Sequence, residues 1–163
     1  TVTHKVINTN DEEMYFSIGA HPAFNCNLGD TLTFEYDETL YSERIDRDSV
    51  ITGDKDLILQ NSNKIELTEH LFDKDALIFS NVKSNYVILN EKKAGKHIRF
   101  TFGDSPFLAI WAKPAAPFVC IEPWYGVNDS YEKTTDFSKK RGIQKLSSDE
   151  KFEFSWSAEF KED

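Results

Sequence analysis

Cysteine, methionine, glycine and proline are all scarce in this chain: two Cys, one Met, seven Gly and five Pro among 163 residues. Cys26 and Cys120 lie far apart and form no Cys-x-x-Cys pair, which excludes a disulfide-stapled scaffold and a cysteine-rich zinc module. A reducing, cytoplasmic setting is expected. Long apolar runs are missing as well. The longest, Phe107 to Ala112 and Ala115 to Ile121, are far too short to span a bilayer, so no membrane partner is expected. Positive charge is also in short supply. With 19 basic against 28 acidic side chains the formal charge is -9, which argues against a general nucleic-acid binder. The one basic run, Lys139-Lys-Arg141, reads as a solvated loop on that background.

Helical periodicity is almost absent. Only Thr68 to Lys74 and Asp136 to Lys140 read as helical turns, each too short to supply the helix layer of a βαβ architecture. There is no fixed-period repeat and no Pro/Ser-rich linker, so residues 1–163 are read as a single unit. No Gly-x-Ser-x-Gly elbow or phosphate-binding Walker loop occurs.

What the chain has is aromatic residues and period-two patterning. Thirteen Phe dominate an aromatic content of 13%, and 39% of residues are hydrophobic, enough for one domain with a sizeable core. Residues Phe152 to Phe160 alternate large apolar with polar side chains, the pattern of a half-buried strand. Shorter strands are expected at Met14–Ile18, Leu32–Tyr36, Lys64–Leu67, Tyr86–Leu89, His97–Phe102, Leu108–Ala112 and Phe118–Glu122. Reversals are expected at Asn8–Asp11, Leu28–Asp30, Thr52-Gly-Asp54, Gln60–Asn63, Ala94-Gly-Lys96 and Gly103–Pro106. An all-β, antiparallel sandwich follows. The stretch Asn128 to Lys145 is its best long loop, placed after an aromatic cluster where binding groups tend to gather.

Four histidines are present, His4, His21, His70 and His97, and none has zinc-type spacing to another histidine, a cysteine or a carboxylate. No metal site is expected. His4 and His97 fall on strands and His70 in a charged turn. His21 differs, because it stands in Gly19-Ala-His-Pro-Ala-Phe-Asn25 among small residues, and the following proline pushes its backbone into the extended region. Two readings stay open: a positioned acid, or a strand-end histidine satisfied by hydrogen bonds. Glu122 is comparable. It ends the apolar run Phe118-Val-Cys-Ile-Glu122 and is followed by Pro123, Trp124 and Tyr125. Burial would raise its pKa, and the aromatics can pack on a sugar ring. The alternative is an exposed strand-end glutamate. Asp75, in Leu71-Phe-Asp-Lys-Asp-Ala76, is either a ligand-binding carboxylate or part of a solvated turn.

The segments Phe16-Ser-Ile-Gly-Ala-His-Pro-Ala-Phe-Asn25 and Cys120-Ile-Glu-Pro-Trp-Tyr-Gly126 resemble the two signature segments of the aldose 1-epimerases, or galactose mutarotases, in the order that family requires. The similarity runs over essentially all of the chain and is greatest to a bacterial branch associated with lactose and galactose metabolism. It implies an antiparallel β-supersandwich whose concave face binds a hexose, with His21 as general acid and Glu122 as general base, and no cofactor. It further implies Asp75 as a binder of sugar hydroxyls, with Trp124 and Asn25 as the remaining substrate-binding residues. A non-catalytic carbohydrate-binding or sugar-sensing domain of the same fold is the alternative. A glycoside hydrolase fits less well, because the expected partner of Glu122 is a histidine rather than a second carboxylate.

One departure from the family pattern matters. The family's other site histidine and a sugar-binding arginine lie upstream of the His-Pro motif, and only 20 residues precede His21. The resemblance therefore implies the C-terminal portion of a larger sandwich, with exposed sheet edges. Which hexose is bound, and whether it carries a phosphate, is left open; Arg44, Arg47, Arg99 and Arg141 are the candidate arginines.

Overall fold

The computed structural model describes residues 1–92, 95–132 and 134–162. Ala94 of the expected Ala94-Gly-Lys96 turn and Lys133 of the expected long loop lie outside the described residues. Among the described residues thirteen strands follow one another: β1 Val2–Ile7, β2 Met14–Phe16, β3 Ile18–Gly19, β4 Ala23–Asn25, β5 Thr31–Ile45, β6 Ile51–Glu66, β7 Leu77–Ser80, β8 Tyr86–Asn90, β9 Lys96–Thr101, β10 Phe107–Trp111, β11 Phe118–Tyr125, β12 Gln144–Leu146 and β13 Lys151–Glu162. The main sheet runs β1-β13-β9-β8-β5-β7-β10-β11-β3, with β4 also against β11 and β6 along β5, while β2 and β12 form a separate pair.

The long strand β5 joins two leaves. Its first residues, Thr31–Phe34, pair with β8, whereas Glu43 near its far end pairs with Ile78 of β7. The leaves fold over a common core to which Leu32, Phe34, Val87 and Phe100 contribute from one side and Phe79, Leu108, Ile110 and Ile121 from the other. The Phe24 and Phe100 rings meet across it, edge to face at 5.6 Å. A second apolar cluster, containing Ile78, Phe107, Ala109 and Val127 with Trp124 packed on it, covers the opposite face of β7, β10 and β11. Burial on both faces explains why Phe107 to Trp111 and Phe118 to Ile121 read as continuous apolar runs, while β13, at the solvent margin, alternates.

Several expectations are corrected. Thr52-Gly-Asp54 and Gln60–Asn63 are not chain reversals but lie inside β6. The pairing of β5 with β6 shifts register repeatedly, and Gly53 (φ 95°) and Asn61 (φ 48°) adopt left-handed backbone at these irregularities. Residues with turn chemistry serve here as bulge residues. The real reversal lies between β5 and β6. There the Asp46 carboxylate accepts from the Asp48 and Val50 amides, and Ser49 has a φ of 60°. Thr68 to Lys74 forms successive turns rather than a helix, and Asp136 to Lys140 contains a single three-residue helical turn, Phe137–Lys139, capped by Asp136. The expected strand Met14–Ile18 breaks at Ser17 into β2 and β3. Strands β4, β7 and β12 carry too few residues to show a period and were not expected from sequence.

Candidate active site

Strand β11 carries Glu122 in register with Ala109 of β10, which is in turn paired with Ile78 of β7 and through it with Glu43 of β5. Partners across an antiparallel ladder present their side chains to the same face, so these four residues form one row. Trp124 and Phe107 form the row on one side, Cys120 and Trp111 the row on the other. This face lies opposite the main core.

On its outer side β11 is flanked by β4 at residues 118–120 and by β3 at Trp124 and Tyr125, which leaves a gap at residues 20–22. Pro22 and Pro123 both lie at that gap. Neither has an N–H to give a ladder, so the edge strand interrupts itself there without leaving a donor unpaired. The gap is bounded by hydrogen bonds from Ala20 N to Pro123 O at 3.1 Å and from Ile121 N to Pro22 O at 3.2 Å. His21 leaves the edge strand between them and swings onto Glu122.

The two side chains are in direct contact. His21 Nδ1 lies 2.5 Å from Glu122 Oε2, with the imidazole 64% exposed and the carboxylate 4% exposed. Trp124 Nε1 also donates to Oε2, at 3.3 Å. Both bonds fall on one oxygen, and Oε1 accepts none from the described residues. Burial raises the Glu122 pKa above the usual carboxylate range, while the hydrogen bond and charge of His21 and the Trp124 hydrogen bond pull it back. The Trp111 ring stands beside His21 at 6.3 Å, and the Cys120 sulfur lies 3.6 Å from His21 Nε2.

His21, Cys120 and Glu122 thus offer three potential ligand atoms within 4.8 Å of one another. Spacing along the chain did not foresee this cluster, because the ladder joins residues a hundred positions apart. A soft divalent ion would fit the donor types; with no ion bound, burial and Glu122 push the Cys120 thiol up to about 11, so it is protonated at neutral pH.

Of the other expected binding residues, Trp124 is at the site and Asn25 and Asp75 are not in contact with the pair. Asn25 pairs with Phe118, four residues down β11 from Glu122, or about 13 Å along the strand. It lines a separate cavity of about 790 Å³ together with Leu89, Ile98 and Phe160. The motif asparagine is carried away because β4 continues as extended chain after His21. Asp75 precedes β7 with a φ of 79°, and its carboxylate accepts from the Ala76 amide at 2.7 Å. Continuing the β7–β10 register places Ala76 opposite Trp111, so Asp75 sits at the rim beyond that ring. Of the remaining histidines, His4 stacks on Phe154, and His70 bonds Asp73.

Sequence reasoning missed Trp111, Cys120, Phe107 and the ion pair between Glu43 and Arg141. The signal for Trp111 was a bulky aromatic closing an otherwise buried strand just before a proline-containing loop. Arg141 lies over the Phe107 ring at 5.2 Å, and the neighbouring Gly142 packs against the same ring. A Cβ at Gly142, whose φ is 74°, would meet Phe107 Cε2 at 2.5 Å and Gly126 Cα at 3.1 Å. Gly142→Ala is expected to cost about 1–3 kcal/mol in urea unfolding.

Residues 1–151 match the family model described as aldose 1-epimerase. The chain belongs to the aldose 1-epimerase family. It is 34% identical over 146 residues to the plasmid and chromosomal forms of the LacX protein of Lactococcus lactis subsp. lactis, an alignment covering 83% of this chain and 49% of theirs. The chain therefore spans about half the length of these curated relatives. A galactose mutarotase related enzyme from Lactobacillus acidophilus superposes with a TM-score of 0.88 at 28% identity, over 98% of this chain and 56% of that one. A galactose mutarotase-like protein from Lactobacillus casei gives 0.87 at 28% identity, over 98% and 58%. The all-β supersandwich expected from the aldose 1-epimerase signatures is the fold observed.

Proposed function

We propose that this chain carries the proton-transfer pair of an aldose 1-epimerase that interconverts the α and β anomers of a hexose. The observation supporting this is the His21–Glu122 contact on the face of β11 opposite the main core, where the imidazole is exposed beside two tryptophans suited to the flat face of a sugar. Glu122 acts as base. Its unengaged Oε1 accepts the proton of the anomeric hydroxyl, and the electron pair of that O–H bond forms the carbonyl at C1. The bond between C1 and the ring oxygen breaks, and His21 delivers a proton to the ring oxygen from Nε2. Rotation about C1–C2 presents the other carbonyl face, and the same transfers in reverse close the ring as the opposite anomer. Atoms and charge balance without an external reagent.

The pair also suits the demands of each step. Burial makes Glu122 a stronger base than a solvated glutamate, and the imidazole beside it stabilises the ionised carboxylate in the resting site. Hydrogen bonding through Nδ1 fixes the ring plane, and at Nε2 the substrate's ring oxygen replaces the weak contact with the Cys120 sulfur. Trp124 is assigned to sugar packing, and Asp75, at the rim, to a sugar hydroxyl that reaches past Trp111.

Polarimetry on the intact gene product tests this reading. Freshly dissolved α-D-galactose or α-D-glucose should reach its equilibrium rotation in proportion to protein added. A rate equal to that of buffer across several aldoses, with sugar still bound in calorimetry, would replace the enzyme by a sugar-binding domain.

A further inference from the structure

Trp124 has one side-chain donor and turns it on the base. It stands two residues after Glu122 on β11, so both side chains leave the same face of the strand. Its ring is half-buried and packs on the apolar cluster of Ile51, Ile78, Phe107, Ala109 and Val127. An indole has a single N–H and no acceptor, and this one reaches Glu122 Oε2 at 3.3 Å, the same oxygen that His21 Nδ1 contacts at 2.5 Å. A carboxylate turns easily about its last bond, whose torsion has no sharp staggered well. Two donors converging on one oxygen hold that torsion, and so decide which oxygen is left for the substrate.

The flanking strand is shaped to the ring. Gly19 of β3 is paired with Trp124, and a Cβ at Gly19 would meet Trp124 Cδ1 at 2.7 Å, the Pro123 carbonyl oxygen at 3.2 Å and Trp124 Cγ at 3.4 Å. Cδ1 is the ring carbon bonded to Nε1, so the glycine lies against the edge of the indole that carries the donor. The backbone gives no other reason for glycine, because Gly19, unlike Gly126 and Gly142, does not adopt left-handed φ. Glycine in a strand otherwise weakens it, and a close approach is one of the reasons it is found there. A ring packed on the cluster has no flexible end to give way, so a side chain at residue 19 would displace it.

We propose that Trp124 is the positioning residue of the base: its N–H and His21 together clamp Glu122 by Oε2 and leave Oε1 to take the anomeric proton, and Gly19 is the clearance that lets the indole reach. This rests on the mutarotase reading above and adds to the sugar packing assigned to Trp124. Packing needs only the ring, whereas positioning needs the N–H, so a variant that keeps one and loses the other separates the two roles.

Polarimetric kinetics on the intact gene product, with α-D-galactose as the probe, test the assignment. Trp124→Phe keeps an aromatic face without a donor. It should lower kcat about tenfold, the order of one hydrogen bond to a charged group, with KM within about twofold. Gly19→Ala should lower kcat similarly, and by less than about twofold further when added to Trp124→Phe, because both act through the same bond. A raised KM at unchanged kcat in Trp124→Phe would reduce the residue to sugar packing and overturn the proposal, as would additive losses in the double variant. A second measurement does not depend on turnover. In proton–nitrogen correlation NMR the indole resonance that Trp124→Phe removes should move upfield in Glu122→Gln, where the acceptor is no longer charged. An unmoved resonance overturns the bond itself. A wild type that leaves mutarotation at the buffer rate sinks the epimerase reading and the positioning role with it, whereas an active wild type with an unaffected Trp124→Phe sinks the positioning role alone.

Discussion

Glu122→Gln is expected to lower kcat/KM for mutarotation by about 10²–10⁴-fold, with KM little changed. The amide keeps the shape of the side chain and can still accept from Trp124 and His21, but it cannot take up the anomeric proton. In the wild type, activity should fall on the acid side as Glu122 becomes protonated, at a pH above that of an ordinary glutamate because burial raises its pKa. The stability consequence has the opposite sense. A carboxyl whose folded pKa lies above its unfolded value binds its proton more tightly when folded, so its contribution is full below the unfolded pKa and is lost as pH rises through the folded one. Glutamine never ionises. The variant should therefore lack this pH dependence and be more stable than the wild type at neutral pH, as measured by thermal melting between pH 4 and 8. A variant that is inactive and also unstable at neutral pH would indicate a structural role for the carboxylate instead.

His21→Asn should lower kcat by about 10²–10⁴-fold through loss of the acid that protonates the ring oxygen. Its imidazole is 64% exposed, so little packing is lost. The pH profile separates its role from that of Glu122. His21 is among the groups pulling the Glu122 pKa down, so removing it should carry the acid limb of the residual activity to higher pH. An unmoved limb would show that the two groups are not electrostatically coupled in solution. The same substitution leaves the buried carboxylate without its charge partner, so stability should fall more at pH 8 than at pH 5.

The long apolar runs of β10 and β11 and the alternation of β13 could be read directly, because burial on two faces and on one face leave different patterns in sequence. The β5–β6 hairpin could not. Glycine and asparagine carry the same signal whether they close a turn or relax a bulge, and only the partner strand distinguishes the two. Strand β7 was invisible for another reason: four residues buried on both faces show no period.

The His-Pro-Ala-Phe-Asn and Glu-Pro-Trp segments pointed to the candidate acid and base through their resemblance to the aldose 1-epimerase signatures, while the prolines beside His21 and Glu122 by themselves only restrict the local backbone. What sequence left open was whether Glu122 faced solvent or a partner. Tertiary structure decided it, by bringing the gap in the edge strand at residues 20–22 against Pro123 and closing the His21 contact over a carboxylate already buried by its neighbours. The scarcity of cysteine likewise excluded a disulfide-stapled scaffold from composition alone, yet only the ladder revealed Cys120 beneath the imidazole. Arg141 and Glu43 lie 98 positions apart and meet because the loop after β11 folds back over Phe107 of β10, which lies two strands from β5 in the sheet. Local chemistry is written in neighbouring residues, whereas a site assembled across strands depends on register, which the whole hydrogen-bonded sheet sets at once.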